Sequence, residues 1–149
     1  MKLVVAADHG GVPLNAAVID ELRRLGHEVL DLGGHDANNG DDYPDYAEAL
    51  GRKIASGECE RGVLICGSGV GASVAANKIH GVRAGLCHDT YSAHQGVEHD
   101  NCNVLCLGAR VVGSELALEL VRAFVGARFT GEPRHARRLE KVLAIERKG

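Results

Sequence analysis

Five short apolar runs punctuate the chain: "LVVAA" at 3–7, "EVLDL" at 28–32, "GVLIC" at 62–66, "VRAGLC" at 82–87 and "NVLCLG" at 103–108. Most are continuous rather than alternating, the pattern of strands covered on both faces in a parallel sheet. Between them, apolar residues recur at helical spacing. In "PLNAAVIDELRRLG", Leu14, Ala17, Val18 and Leu22 share one face and Gly26 supplies a stop. "PDYAEALGRKIASGE" opens with Pro44 in its first turn and repeats Tyr46, Leu50 and Ile54 on one side. "GSELALELVRAFVG" opens with Ser114 and closes at Gly126. A final helix is expected over about residues 132–147, with Leu139, Val142 and Leu143 on one side and bases on the other. Alternating strand and helix predicts right-handed crossovers and a three-layer α/β/α sandwich, doubly wound around a parallel sheet.

The 149 residues suffice for one ordinary domain with a real core. No repeat, low-complexity tract or linker divides them, so residues 1–149 are expected to form a single domain. One long polar loop, "GGHDANNGDDY" at 33–43, stands out as a candidate lid or substrate loop. Apolar content of 45% and charged content of 25% are those of a soluble globular protein. With a net charge of −3 and 3% aromatic residues, the chain lacks both the field and the stacking platforms that nucleic acids demand. No apolar run approaches the ~20 residues of a membrane span, and the amino-terminal run is too short for a signal peptide. A cytoplasmic location is expected. Five cysteines in no CxxC pair fit unpaired thiols in a reducing compartment, with neither a disulfide framework nor a zinc site.

In a doubly wound sheet, ligands bind outside the carboxyl ends of the strands, so the residues after each strand matter most. "DHGG", with Asp8 and His9, follows the first. "CGSGVG", with Cys66, Ser68 and three glycines, follows the third. "HDTYSAHQGVEHDN" follows the fourth and "GARVVG", with Arg110, the fifth. These groups are expected to collect on one rim. The glycine loop is no P-loop, since no Gly-Lys-Ser/Thr follows it. Its N–H groups face the start of a helix, where negative charge is stabilised and a thiolate is favoured. A thiolate beside such donors suits proton abstraction next to a carbonyl. His80, His88 and His94 carry no signal beyond polarity. His99 differs, because Asp100 and Asn101 follow it immediately before the fifth strand. Arg134 and Arg138 are four apart on a predicted helix, so both guanidinium groups can address one phosphate.

Other readings stay open on these residues alone. The glycine loop could belong to a Rossmann-type nucleotide-binding module, although it occupies the third βα unit and lacks the acidic ribose anchor. Six of the 17 basic residues fall in the last 16 positions, which keeps a nucleic-acid contact in view. Cys66 could also serve as a redox sensor.

The ordered series "ADHGG", "DYPDYA", "GVLICGSGVGASVAANK", "GVRAGLCHDTYSA", "EHDNCNVLCLGARVVG" and "RHARR" resembles the ribose-5-phosphate isomerase B family, with its galactose- and allose-6-phosphate isomerases. The resemblance implies a Rossmann-like five-stranded fold and a sugar-phosphate isomerase with no cofactor and no metal. It implies ribose 5-phosphate as first candidate substrate and a six-carbon sugar phosphate as alternative. It also implies a homodimer or homotetramer whose active sites are shared between subunits, with the last helix contacting the partner. Cys66 would then move the proton between C1 and C2. Gly67, Gly69, Val70 and Gly71 would hold the enediolate with help from Ser68, and His99 would open the sugar ring. Asp8 would contact hydroxyls, His9 would lie toward the phosphate, and Tyr43 would line the pocket. Arg110, Arg134 and Arg138 would bind the phosphate. The chain departs from the family pattern at Asp100 and Asn101, which commonly read Asn-Asp, and at Asn15, where many members carry lysine. It also has Ala72 where some relatives place a glutamate base.

Overall fold

The computed structural model describes residues 1–38 and 40–149; Asn39, in the predicted polar loop, lies outside the described residues. Strand β1 (Lys2–Ala7) leads through a 3-10 turn (His9–Gly11) into α1 (Val12–Arg24), then β2 (Glu28–Asp31). Helix α2 (Tyr43–Ala55), β3 (Arg61–Cys66) and the short α3 (Val70–Ala76) follow. The chain continues through β4 (Ala84–Leu86), α4 (Thr90–Asp100), β5 (Val104–Gly108), α5 (Ser114–Gly126) and α6 (Pro133–Lys148). The five strands form one parallel sheet in the order β2-β1-β3-β5-β4.

The continuous apolar runs read as two-sided strands because each supplies both faces. Leu3, Val5, Ile65 and Leu107 pack with α1, α4 and α5, whereas Val4, Ala6, Leu64 and Cys106 pack with α2 and α3. The outer strands are shorter and less buried, as edges are. The predicted fourth strand shrinks from 82–87 to Ala84–Leu86, because Gly81–Arg83 are held in a turn by Asn103 and Glu146.

Helix α6 forms where expected and is the helix least covered by the rest of the chain. Of its predicted apolar side, Leu139 and Leu143 are half-buried and Val142 is 51% exposed; Ile145 beside them is 69% exposed, and His135 is the helix's one buried residue. It crosses from α4 toward the turn before β4, where Glu146 accepts a hydrogen bond from the Gly81 N–H. Among the described residues no helix is long and apolar enough to cross a membrane.

β1 turns back onto β3 at a point of very close approach. The Asp8 side chain accepts from the Gly11 N–H at 3.1 Å, and a Cβ on Gly11 would stand 2.3 Å from the Ile65 carbonyl oxygen. Gly11→Ala is therefore expected to cost roughly 3 kcal/mol, a melting temperature lower by about 6–12 °C in thermal denaturation. Gly126→Ala, in the last turn of α5 where the added carbon meets nothing within 4 Å, should leave it nearly unchanged or slightly raised.

Candidate active site

Chain order reverses between β1 and β3: from β1 the chain moves outward to β2, then returns to β3 on the other side. A crevice at the carboxyl ends of these strands is the expected ligand site of an open α/β sheet. A cleft of about 300 Å³ opens there, lined by Asp8, Tyr43, Cys66, Gly67, Ser68, Gly71, Arg110 and Val111. Three separate loops and the start of α2 thus contribute to one surface.

Cys66 is the last residue of β3 and is 5% exposed. The Gly69 N–H donates to its Sγ at 3.0 Å, so a donor already points to where thiolate charge would sit. That bond requires the chain to fold back sharply. Gly69 does so at φ +80°, wedged against Leu86 and the Leu107–Gly108 peptide with no room for a side chain. The Ser68 hydroxyl accepts from the Val70 N–H and is otherwise exposed toward the cleft. Arg110 lies across Gly67, its N–H donating to the Gly67 carbonyl at 2.9 Å and its guanidinium beside the glycine. Tyr43 opens α2, and its ring covers Gly71 so closely that a Cβ there would come within 2.6 Å.

Asp8 is buried and His9, next to it, stands outside the residues lining the cleft. Asp41 organises this side, from within a polar loop where no local pattern distinguishes it from its neighbours. It accepts from the His9 backbone N–H at 2.8 Å, from His9 Nδ1 at 2.9 Å and from the Tyr46 hydroxyl at 2.7 Å. That hydrogen bond, with the nearby Asp8 and Asp41 charges, raises the His9 pKa above the ordinary imidazole value. Asp8, His9 and Asp41 offer ligand atoms within 4.8 Å of one another, as a cation site would. The contacts above and the Asp8–Gly11 bond already account for that grouping.

The expectation of one rim fails for the remaining candidates. Helix α4 runs back from the carboxyl end of β4, so His99, Asp100 and Asn101 sit before β5, at the amino ends of the strands. The eleven residues of α4 span about 16 Å from its start near the carboxyl end of β4 to this group. The His99 ring stacks on His135 with centroids 4.0 Å apart, and Gln95 Nε2 lies 3.0 Å from His99 Nδ1. Asn101 caps α4 at φ +52°, its carbonyl accepting from Arg83 Nε. Arg134 and Arg138 are exposed on the first turns of α6 beside this group. Burial, and then the facing His99, lower the His135 pKa. None of His99, Asp100, Asn101, Arg134 or Arg138 lines the cleft, and neither do Gly69 and Val70. Gly69 acts from beneath it, through Cys66; Val70 is half exposed at the start of α3. Val111 was not anticipated in the lining.

Comparison with known proteins places this arrangement. The family described as Ribose/Galactose Isomerase matches residues 3–142. Ribose-5-phosphate isomerase B of Escherichia coli is 43% identical over 147 residues, covering 99% of this chain and 97% of that protein. A D-erythrulose-4-phosphate isomerase of Pectobacterium atrosepticum is 39% identical, over 88% of this chain and 86% of its own. The crystal structure of ribose-5-phosphate isomerase B from Mycoplasma genitalium with bound ribulose-5-phosphate superposes with a TM-score of 0.93 at 37% identity. It covers 99% of this chain and 97% of that one.

The Asp41 contact yields a direct expectation. In a proton NMR titration, His9 should have its midpoint above 6.5, and Asp41→Asn should bring it down toward that value. An unmoved midpoint would mean that the carboxylate does not hold the ring.

Proposed function

Because the chain belongs to the ribose/galactose isomerase family, we propose that it interconverts ribose 5-phosphate and ribulose 5-phosphate. The observation that carries this reading is Cys66: its Sγ is held by the Gly69 N–H at the head of a cleft lined by Asp8, Tyr43, Ser68 and Arg110. Aldose–ketose isomerisation moves one proton between adjacent carbons while the electrons stay within the sugar, so the reaction is redox-neutral and calls for no redox cofactor. The Cys66 thiolate takes the proton from C2 of the open-chain aldose, and the C2–H electron pair becomes the C1–C2 double bond of an enediolate. Negative charge collects on the C1 oxygen, where the N–H groups of Gly67, Ser68 and Gly71 and the Ser68 hydroxyl can donate. The Gly69 and Val70 N–H groups are held by Cys66 Sγ and Ser68 Oγ. The C1 oxygen takes up a proton and the C2 hydroxyl gives one up, a net O2-to-O1 transfer that the Ser68 hydroxyl or solvent can relay. Cys66 delivers a proton exchangeable with water to C1 as the C2 ketone forms. Asp8 accepts from sugar hydroxyls, while Arg110 and the Asp41-bound His9 supply positive charge for the phosphate.

The opposite rim supplies what this cleft lacks. His99 is assigned ring opening, with Asp100 and Asn101 beside it and Arg134 and Arg138 on the phosphate. Proton transfer needs contact at about 3 Å, so a group at the opposite ends of the strands, outside the cleft lining, can act only on another copy's cleft. We infer a homodimer or homotetramer of this single domain in which each copy's α4–α6 rim completes a neighbour's site. Exposed Val70, Val74, Leu86, Tyr91 and Val111, and the partly exposed apolar side of α6, are surfaces such pairing would cover.

Two measurements test this reading. Cys66→Ala should lower kcat by about 10²–10⁴-fold while inorganic phosphate still binds; unchanged turnover removes Cys66 from the chemistry. Separately inactive Cys66→Ala and His99→Ala proteins, unfolded and refolded together in equal amounts, should regain about one quarter of wild-type activity, since half the pairs then carry one intact site of two. No recovery would mean that the site does not cross between copies. Assay against four-, five- and six-carbon sugar phosphates identifies the preferred chain length.

A further inference from the structure

The glycine loop leans on the end of β5. A Cβ on Gly108 would lie 2.5 Å from the Ser68 carbonyl oxygen, and one on Gly69 would lie 2.9 Å from the Leu107 carbonyl carbon. The loop can therefore be no better placed than the Leu107–Gly108 peptide beneath it. On one side that peptide is secured by β3: Cys66 pairs with Gly108, and the Ala109 N–H donates to the Cys66 carbonyl at 2.9 Å.

Because alternate residues of a strand address opposite neighbours, the Gly108 N–H faces the β4 side. There the ladder has run out. β4 pairs with β5 only as far as Leu86, opposite Cys106, and then turns away toward α4. The missing backbone acceptor is replaced by a side chain: His88 Nε2 accepts from the Gly108 N–H at 2.9 Å. An accepting Nε2 fixes the neutral tautomer with its proton on Nδ1. Burial lowers the His88 pKa and so favours the same neutral ring.

We propose that His88 is a positioning residue for the active-site amides, its imidazole standing in for the absent strand and fixing the peptide on which the glycine loop rests. The catalytic consequence rests on the reading of that loop as the enediolate cradle. Without the acceptor, the buried Gly108 N–H must shift to find another partner, and Ser68 and Gly69 shift with it. Misplacement of the loop amides touches the transition state, in which charge develops, more than it touches the bound sugar.

His88→Leu keeps the bulk and removes the acceptor; His88→Gln offers an amide oxygen near the place of Nε2. With ribose 5-phosphate, His88→Leu is expected to lower kcat by about 10-fold or more, with KM altered by less than about 3-fold, and His88→Gln should recover most of the loss. In ¹⁵N NMR of the wild-type protein, His88 should show the tautomer protonated at Nδ1. A full-speed His88→Leu enzyme, a wild-type His88 protonated at Nε2, or a loss borne by KM with no rescue by glutamine would each overturn the proposal. The wild-type spectrum decides the Gly108 contact even if the leucine variant fails to fold. A wild-type protein inactive on every sugar phosphate would instead strike the functional reading, and with it the catalytic consequence; the spectrum still reports the contact separately.

Discussion

The site depends on backbones meeting where side chains would ordinarily keep them apart. At the carboxyl ends of β1, β3 and β5, the first turn reaches the Ile65 carbonyl and the glycine loop rests on Gly108. This contact lets one chain present a sulfur, several amide donors, a carboxylate and a guanidinium to a cleft of about 300 Å³. A methyl group at Gly11 or Gly108 would separate the elements that form it. The sheet interior supplies rigidity beneath: Val4, Val5, Leu64, Ile65, Cys106 and Leu107 are at most 1% exposed. The N–H donors therefore stand on a base that moves little when charge appears, which is the condition for electrostatic preorganisation.

Much of this is legible in the amino-acid sequence. Continuous apolar runs announce two-sided parallel strands, and the motifs after the first, third and fifth runs mark the cleft, since a strand's carboxyl end is where the next loop begins. The reading fails where a segment is long enough to cross the molecule. His99 to Asn101 follow the fourth strand in the sequence, but α4 returns the chain to the opposite rim, and residues immediately before β5 belong to its amino end. Asp41 carries no local signal, because its role is made by a turn 32 residues away. His88 looks like a surface histidine until the early end of β4 leaves the Gly108 N–H for it to receive. The apolar pattern of α6 predicts a helix correctly and says nothing of what covers it.

Two half-sites on opposite rims give the fold a simple logic. The Cys66 sulfur and the glycine-loop amides sit where strand ends converge. The stacked His99–His135 pair and the exposed Arg134 and Arg138 sit where α4 and α6 meet. Under the proposed pairing of copies, each rim would complete a neighbour's site, and the exposed apolar residues near the cleft and along α6 are what such pairing would cover.

The central claim, that sulfur takes a proton from carbon, is read most directly from hydrogen exchange. Ribose 5-phosphate deuterated at C2 should lose its label to solvent water when incubated with the protein, and retain it with Cys66→Ala. Release of the C2 label at an undiminished rate by Cys66→Ala would contradict an enediolate formed by this cysteine.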